Sequence, residues 1–237
     1  IVIAPINEDM KLPLTAPESA ENSAIVANML EWTAKTDKII VYNYYGCFPY
    51  ASDEFERPIG PRMQADFQFY AQHGFLGLLP EGVVDNNNDM WAVSALTMWL
   101  YSKLAWNPDA DIQKLIRWFS QKAYGDAAEA MMEYYGLLQE AWDENYVPIK
   151  WSTPLSVYVQ AFYNDPVRNA QMQAALNQAW ALADDKQKQR IAPIKNAFEK
   201  NVGPSDIVPE NAVAKKTDAG REAVMNDLDM NGPIWGR

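Results

Sequence analysis

The chain has 237 residues, 49% of them hydrophobic, and carries a net charge of −11. That apolar fraction excludes a disordered polypeptide, and no apolar run reaches the roughly 18 residues that a membrane-spanning helix needs. The acidic balance argues against a nucleic-acid partner, because phosphate backbones are bound by clustered Lys and Arg.

Ile1 to Ile6 is a short apolar run that reads as a buried strand. A β-like run at the first residue, without initiator Met or basic leader, is expected to follow upstream polypeptide. Thr15-Ala-Pro-Glu18 has capping-box spacing with Pro17 in the first turn, and Ile25, Val26, Met29, Leu30 and Trp32 continue at helical spacing to about Lys35. Lys38 to Tyr45 is β-branched and aromatic and stops at Gly46, a second strand. Pro61 opens a helix with Met63, Phe67 and Tyr70 on one face and Gly74 as its stop. Phe75 to Leu79 is a third strand closed by Pro80, and Asp89 caps a helix carrying Ala92, Leu96, Trp99 and Leu100. Apolar strands alternating with amphipathic helices predict a parallel sheet covered on both faces.

Strands cease after Trp106-Asn-Pro-Asp109. Helices are expected around Ile112 to Phe119, Ala128 to Trp142, a short one after Thr153-Pro154, a longer one after Asp165-Pro166, and a last one through Ile191, Ile194 and Phe198 with a kink at Pro193. Gly203-Pro204 stops it, and the polar stretch from Ser205 reads as a tail or linker. The fold expectation is therefore α/β followed by all-α. It divides into an α/β part at 1–106, a helical domain at 107–204 and a tail at 205–237.

Ligands of parallel α/β sheets sit beyond the carboxyl ends of the strands. At those ends lie Asn7, Glu8 and Asp9; then Asn43, Tyr44, Tyr45 and a loop with Phe48, Tyr50, Asp53, Glu54 and Glu56; then Glu81 and the loop Asp85-Asn-Asn-Asn-Asp89. Carboxylates, amides and aromatic rings together suit a sugar, whose hydroxyls need planar hydrogen-bonding groups and whose apolar face packs on rings. Glu81 ends a buried strand, where desolvation raises a carboxyl pKa, so it is the candidate for proton transfer. Asn43 and Tyr45 share one strand face, opposite Tyr42 and Tyr44, and an amide in an apolar strand needs polar partners or a pocket. The candidate substrate-binding residues are thus Asn43, Tyr45, Glu81 and Asp85.

Cys47 is the only cysteine, so no disulfide or cysteine metal cluster forms within the chain. His73 is the only histidine, and its place before Gly74 reads as a helix C-terminus rather than a triad or zinc site. The Asn-rich stretch at 86–88 lacks the pattern of an EF-hand, and no metal or cofactor is expected. Trp99, Trp118, Trp142 and Trp180 lie in helical patterns and read as core.

Val41-Tyr-Asn-Tyr-Tyr-Gly46, Phe75-Leu-Gly-Leu-Leu79, Leu100 to Asp109 and Tyr124-Gly-Asp-Ala-Ala128 together resemble the bacterial domain-of-unknown-function family 4838 over approximately residues 1–145. That family occurs in alpha-glucuronidase-like proteins and in glycoside hydrolase family 163, the endo-β-N-acetylglucosaminidases. The resemblance implies the C-terminal βα units of a (β/α)8 (TIM) barrel with an attached helical domain. It implies an upstream half-barrel that carries the principal catalytic acids, and a secreted, periplasmic or cell-surface protein hydrolysing glycans. Where members often carry an acid in the Tyr-x-Tyr-Tyr segment, this chain has Asn43, which binds a hydroxyl but cannot donate as a general acid. A non-catalytic glycan-binding or structural protein on the same barrel is the alternative. A third reading makes the helical half a protein-interaction module.

Overall fold

The computed structural model describes residues 1–45, 55–81 and 92–203. Strands β1 (Val2–Ile3), β2 (Ile40–Asn43) and β3 (Gly77–Pro80) form one parallel sheet in the order β1-β2-β3. Helix α1 (Ala20–Thr33) connects the first pair and α2 (Gly60–Gln72) the second, so the expected βαβαβ alternation is present. Among the described residues the sheet is three-stranded and open. Helix α3 (Ala95–Trp106) follows, and the remainder is helical: α4 (Ile112–Tyr124), a 3-10 turn at Gly125–Ala127, α5 (Ala128–Glu144), α6 (Leu155–Phe162), α7 (Pro166–Leu182) and α8 (Asp185–Asn201).

Register fixes which side chains share a face. Ile40 stands opposite Val2 and Gly77, Val41 opposite Ile3 and Leu78, and Tyr42 opposite Leu79. Val41 joins a buried cluster with Met29 of α1 and Met63 and Phe67 of α2, so the odd-numbered face of β2 is the helix side. The other face is open along much of its length: Val2 is 59% and Leu79 48% exposed. The sequence predicts burial on both faces, whereas among the described residues the helices cover one.

The helical half is held by the same buried cluster, which runs from Met10 to Phe198. Helix α5 packs along α7, with Leu138 and Trp142 buried on one and Met172 and Leu176 on the other. Trp142 stacks on Phe162 of α6 at 4.7 Å between ring centres, and Tyr134 meets Phe198 of α8 edge-on at 6.0 Å. Trp180, expected in the core, is 38% exposed. An indole at that position reaches the surface because α7 buries only the stripe formed by Ala170, Met172, Ala175, Leu176 and Ala179.

Helix starts follow side-chain chemistry. Asp111 accepts from the Gln113 and Lys114 amides, Asp165 from those of Val167 and Arg168, and Asp184 forms a reciprocal capping box with Gln187. The capping box expected at Thr15 to Glu18 is replaced by Ser19, whose hydroxyl accepts from the Asn22 amide at 3.1 Å. Helix α8 continues through Pro193, where a kink was expected. Gly74 and Gly203 both take positive φ just past their helices, the backbone stop that glycine permits.

Candidate functional site

Hydrogen bonding extends the β2–β3 ladder by one residue: the Glu81 amide donates to the Asn43 carbonyl at 2.7 Å. Glu81 therefore continues the face of Leu79 and stands beside Tyr44, not beside Asn43. Tyr42 and Tyr44 meet edge-to-face at 5.2 Å, and Tyr44 meets Trp151 in the same manner at 5.7 Å. Tyr42, Glu81 and Trp151 are half-buried, and Tyr44 is buried between them. Burial pushes the Glu81 carboxyl above its ordinary pKa, while the neighbouring Trp151 indole pulls it part of the way back. The Tyr44 hydroxyl is raised by burial first, then by the charges of Glu81, Tyr42 and Glu8.

Trp151 comes from the segment between α5 and α6, and Asp9, beyond the end of β1, pins that segment down. The Tyr146 hydroxyl donates to Asp9 Oδ2 at 3.0 Å, the Ile149 amide donates to Asp9 Oδ1 at 3.2 Å, and the Met10 amide donates to the Ile149 carbonyl at 2.6 Å. Asp9 is itself held by Asn22 of α1, which accepts from the Asp9 amide and donates to the Asp9, Leu12 and Pro13 carbonyls. The helical half thus closes over the carboxyl end of the sheet through a strap at 145–154.

On the helix side lies a sealed polar cluster. Asn43 is 0% exposed and its amide faces the Tyr101 hydroxyl of α3. The buried Tyr45 hydroxyl donates to Asp66 Oδ2 at 2.6 Å, and its ring lies under the Arg62 guanidinium at 5.0 Å. Arg62 pairs with Glu8 at 2.7 Å and approaches Asp66 at 3.4 Å, while the Leu14 amide donates to Asp66 Oδ1 at 2.7 Å. Two carboxyls share one guanidinium away from water. Burial outweighs the Arg62 attraction and pushes Glu8 up to about 7. A proton on Glu8 leaves the group neutral, the cheaper state in a low dielectric.

The sequence-derived candidates therefore divide. Glu81 lies on the open face at the carboxyl end; Asn43 and Tyr45 lie at the same end of the sheet but point into the helices; Asp85 lies outside the described residues, as do Cys47, Phe48, Tyr50, Asp53, Glu54 and Asp89. Tyr44 was placed at the strand ends but left out of the substrate-binding set, and Tyr42 and Trp151 were not singled out as candidates. Trp151 was detectable as an indole in the irregular stretch Val147-Pro-Ile-Lys-Trp151, outside any helical pattern. Among the described residues no group of three or more His, Cys, Asp or Glu is placed to hold a metal ion. A separate groove of about 1210 Å³ opens among α2, α3, α4, α5 and α7, lined by residues including Glu56, Arg57, Thr97, Gln113, Glu133 and Gln178. It shares no side chain with the cluster at the strand ends.

Fold and site define a parallel α/β unit, continued by helices, with aromatic rings and a carboxyl group gathered where its strands end. The chain belongs to the family described as domain of unknown function (DUF4838), which matches residues 1–136. Glu8, Tyr44 and Glu81 fall inside the matched span and Trp151 beyond it. No curated protein and no solved structure gives a match.

Proposed function

We propose that the protein acts on glycans, as part of a glycoside-hydrolase-like (β/α)8 barrel whose other strands come from polypeptide outside this chain. The observation that carries this reading is the constellation of Glu81 with Tyr42, Tyr44 and Trp151 on the open face at the carboxyl end of β2 and β3. Rings at that position offer packing for a pyranose, and a partly desolvated carboxyl beside them suits proton transfer to a glycosidic oxygen. Support for the barrel comes from the sequential strand order and from the apolar face of Val2, Ile40 and Leu79, which a parallel sheet ordinarily keeps covered. In that architecture this face is the inner one, and the second carboxyl of the reaction comes from another strand. A glycan substrate of this kind agrees with a secreted, periplasmic or cell-surface location.

The test is turnover of N-glycans by the full-length protein beside its Glu81→Gln variant. A group acting in proton transfer loses roughly 10²–10⁴-fold in rate when neutralised; unchanged turnover removes Glu81 from the chemistry. One observation favours a second reading, glycan binding without hydrolysis. Glu8 and Asp9 are each 1% exposed, so neither stands open beside Glu81 as a second carboxyl of the reaction. Oligosaccharide binding by the full-length protein with no product formed is the outcome expected from it.

A further inference from the structure

We infer that the groove among α2, α3, α4, α5 and α7 binds a short extended peptide carrying a basic side chain. This site is distinct from the cluster at the strand ends, and the claim does not rest on the glycan reading.

The groove measures about 1210 Å³, and its wall changes character with depth. Leu96 and Leu100 of α3 are buried, and Thr97 between them donates its hydroxyl to the buried Glu56 Oε1 at 2.5 Å. Nearer the surface, Glu129, Glu133 and Gly136 of α5 follow at spacings of four and three, which sets them on one helix face. All three are exposed. Helix α4 adds Gln113 and Arg117, and α7 adds Gln171 and Gln178.

Gly136 shows that the opening is maintained. A glycine inside a helix lowers stability relative to alanine, because the unfolded chain gains freedom that folding must remove. Close packing of a neighbouring helix usually explains such a residue. Here a Cβ added at Gly136 meets no heavy atom within 4 Å, so no part of the protein needs the missing side chain. What the glycine leaves clear is the groove.

The lining selects the class of ligand. Among the described lining residues the one aromatic ring is Tyr135, which is 7% exposed and hydrogen-bonded through its hydroxyl to Tyr124 at 2.8 Å. No open ring is offered to the C–H face of a sugar, in contrast to the strand ends. Glutamine side chains carry one acceptor and one donor group, as a peptide unit does, and three of them stand on two sides of this groove. The α5 wall runs from Glu129 to Gln139, about 15 Å at the rise of a helix, which an extended chain covers in about five residues. Arg57 is 5% exposed and Arg117 half-buried, so the fully open charges are the carboxylates of Glu129 and Glu133. They suit a Lys or Arg of the ligand, and the net charge of −11 favours its approach.

The test screens the full-length protein against two immobilised libraries of end-capped pentapeptides, with lysine or glutamate fixed at the centre. The affinity of the best-bound sequence is then measured by fluorescence anisotropy. Wild type should select from the lysine library. Gly136→Leu fills the groove and should weaken that peptide at least about tenfold, with a thermal midpoint no lower than wild type because leucine is the better helix former. Glu129→Gln combined with Glu133→Gln, both at exposed positions, should weaken it roughly two- to fivefold, and high salt should erase that difference. Selection by wild type no stronger than by Gly136→Leu overturns the proposal, as does preference for the glutamate library. A lowered midpoint for Gly136→Leu also overturns it, since the new side chain would then meet protein rather than open groove. Displacement of the selected peptide by a released N-glycan assigns the groove to a sugar and refutes the peptide.

Discussion

Replacing Glu8 by Gln tests the electrostatics of the sealed cluster. Glu8 is 1% exposed, and its carboxyl rises from 4.5 to about 7 because burial outweighs the attraction of Arg62. Between those values the folded protein holds a proton that the unfolded chain has released. The Glu8 contribution to stability is therefore greatest below pH 4.5, falls as pH rises, and levels off once Glu8 ionises above about 7. At 1.36 kcal/mol for each tenfold change in proton affinity, the loss across the window is about 3 kcal/mol, a sizeable part of a typical ~5–15 kcal/mol total. Glutamine stays neutral and keeps nearly the shape of the protonated acid. Its unfolding free energy should thus lack this slope and exceed that of wild type by up to about 3 kcal/mol at pH 8. Urea unfolding followed by Trp fluorescence at intervals from pH 5 to pH 8 measures both. Comparing the two proteins cancels the slope from other groups, including Asp66, which burial also raises. A Glu8→Gln variant with the wild-type slope, or one less stable than wild type at pH 8, would mean that Glu8 is ionised and bound favourably to Arg62.

Other expectations concern packing and backbone. Asn22→Leu removes the side chain that serves the Asp9, Leu12 and Pro13 backbone; urea midpoints should report a loss of about 1–3 kcal/mol for each buried group left without a partner. Gly125 has φ 51° and ψ −119°, and a Cβ there runs into the Gln187 side chain, which also serves the α8 capping box. Gly125→Ala should cost about 1–3 kcal/mol, read as a fall of several degrees in Tm; an unchanged Tm refutes the strain. Phe162→Ala, which empties the stack beneath Trp142, should cost about 3–5 kcal/mol by urea unfolding.

Much of the architecture was legible because it rests on local chemistry. The apolar runs at residues 1–6 and 38–45 each contain a strand, and the run at 75–79 overlaps a third that continues through Pro80. Asp165 and Pro166 mark a helix start in both readings, as Gly74 and Gly203 mark stops. Helix α8 runs on past Pro193 because one missing amide is a local defect, and the buried Ile191, Ile194 and Phe198 on both sides hold the helix against the core. At the site, alternation in β2 correctly separated Tyr42 and Tyr44 from Asn43 and Tyr45, but it could not say which pair faces the helices. Both pairs carry hydroxyls, and either is compatible with burial.

Sequence by itself determined the order of elements, their parallel sense and the group of residues at the strand ends, since periodicity, caps and turn residues act over a few neighbouring positions. The tertiary structure decided the rest. Arg62 and Asp66 on α2 give Tyr45 a charged partner and so turn the odd face of β2 inward, and Asp9 holds the segment that carries Trp151 against Tyr44. Those contacts join positions distant along the chain, and their energy exists only once burial has removed water from between them.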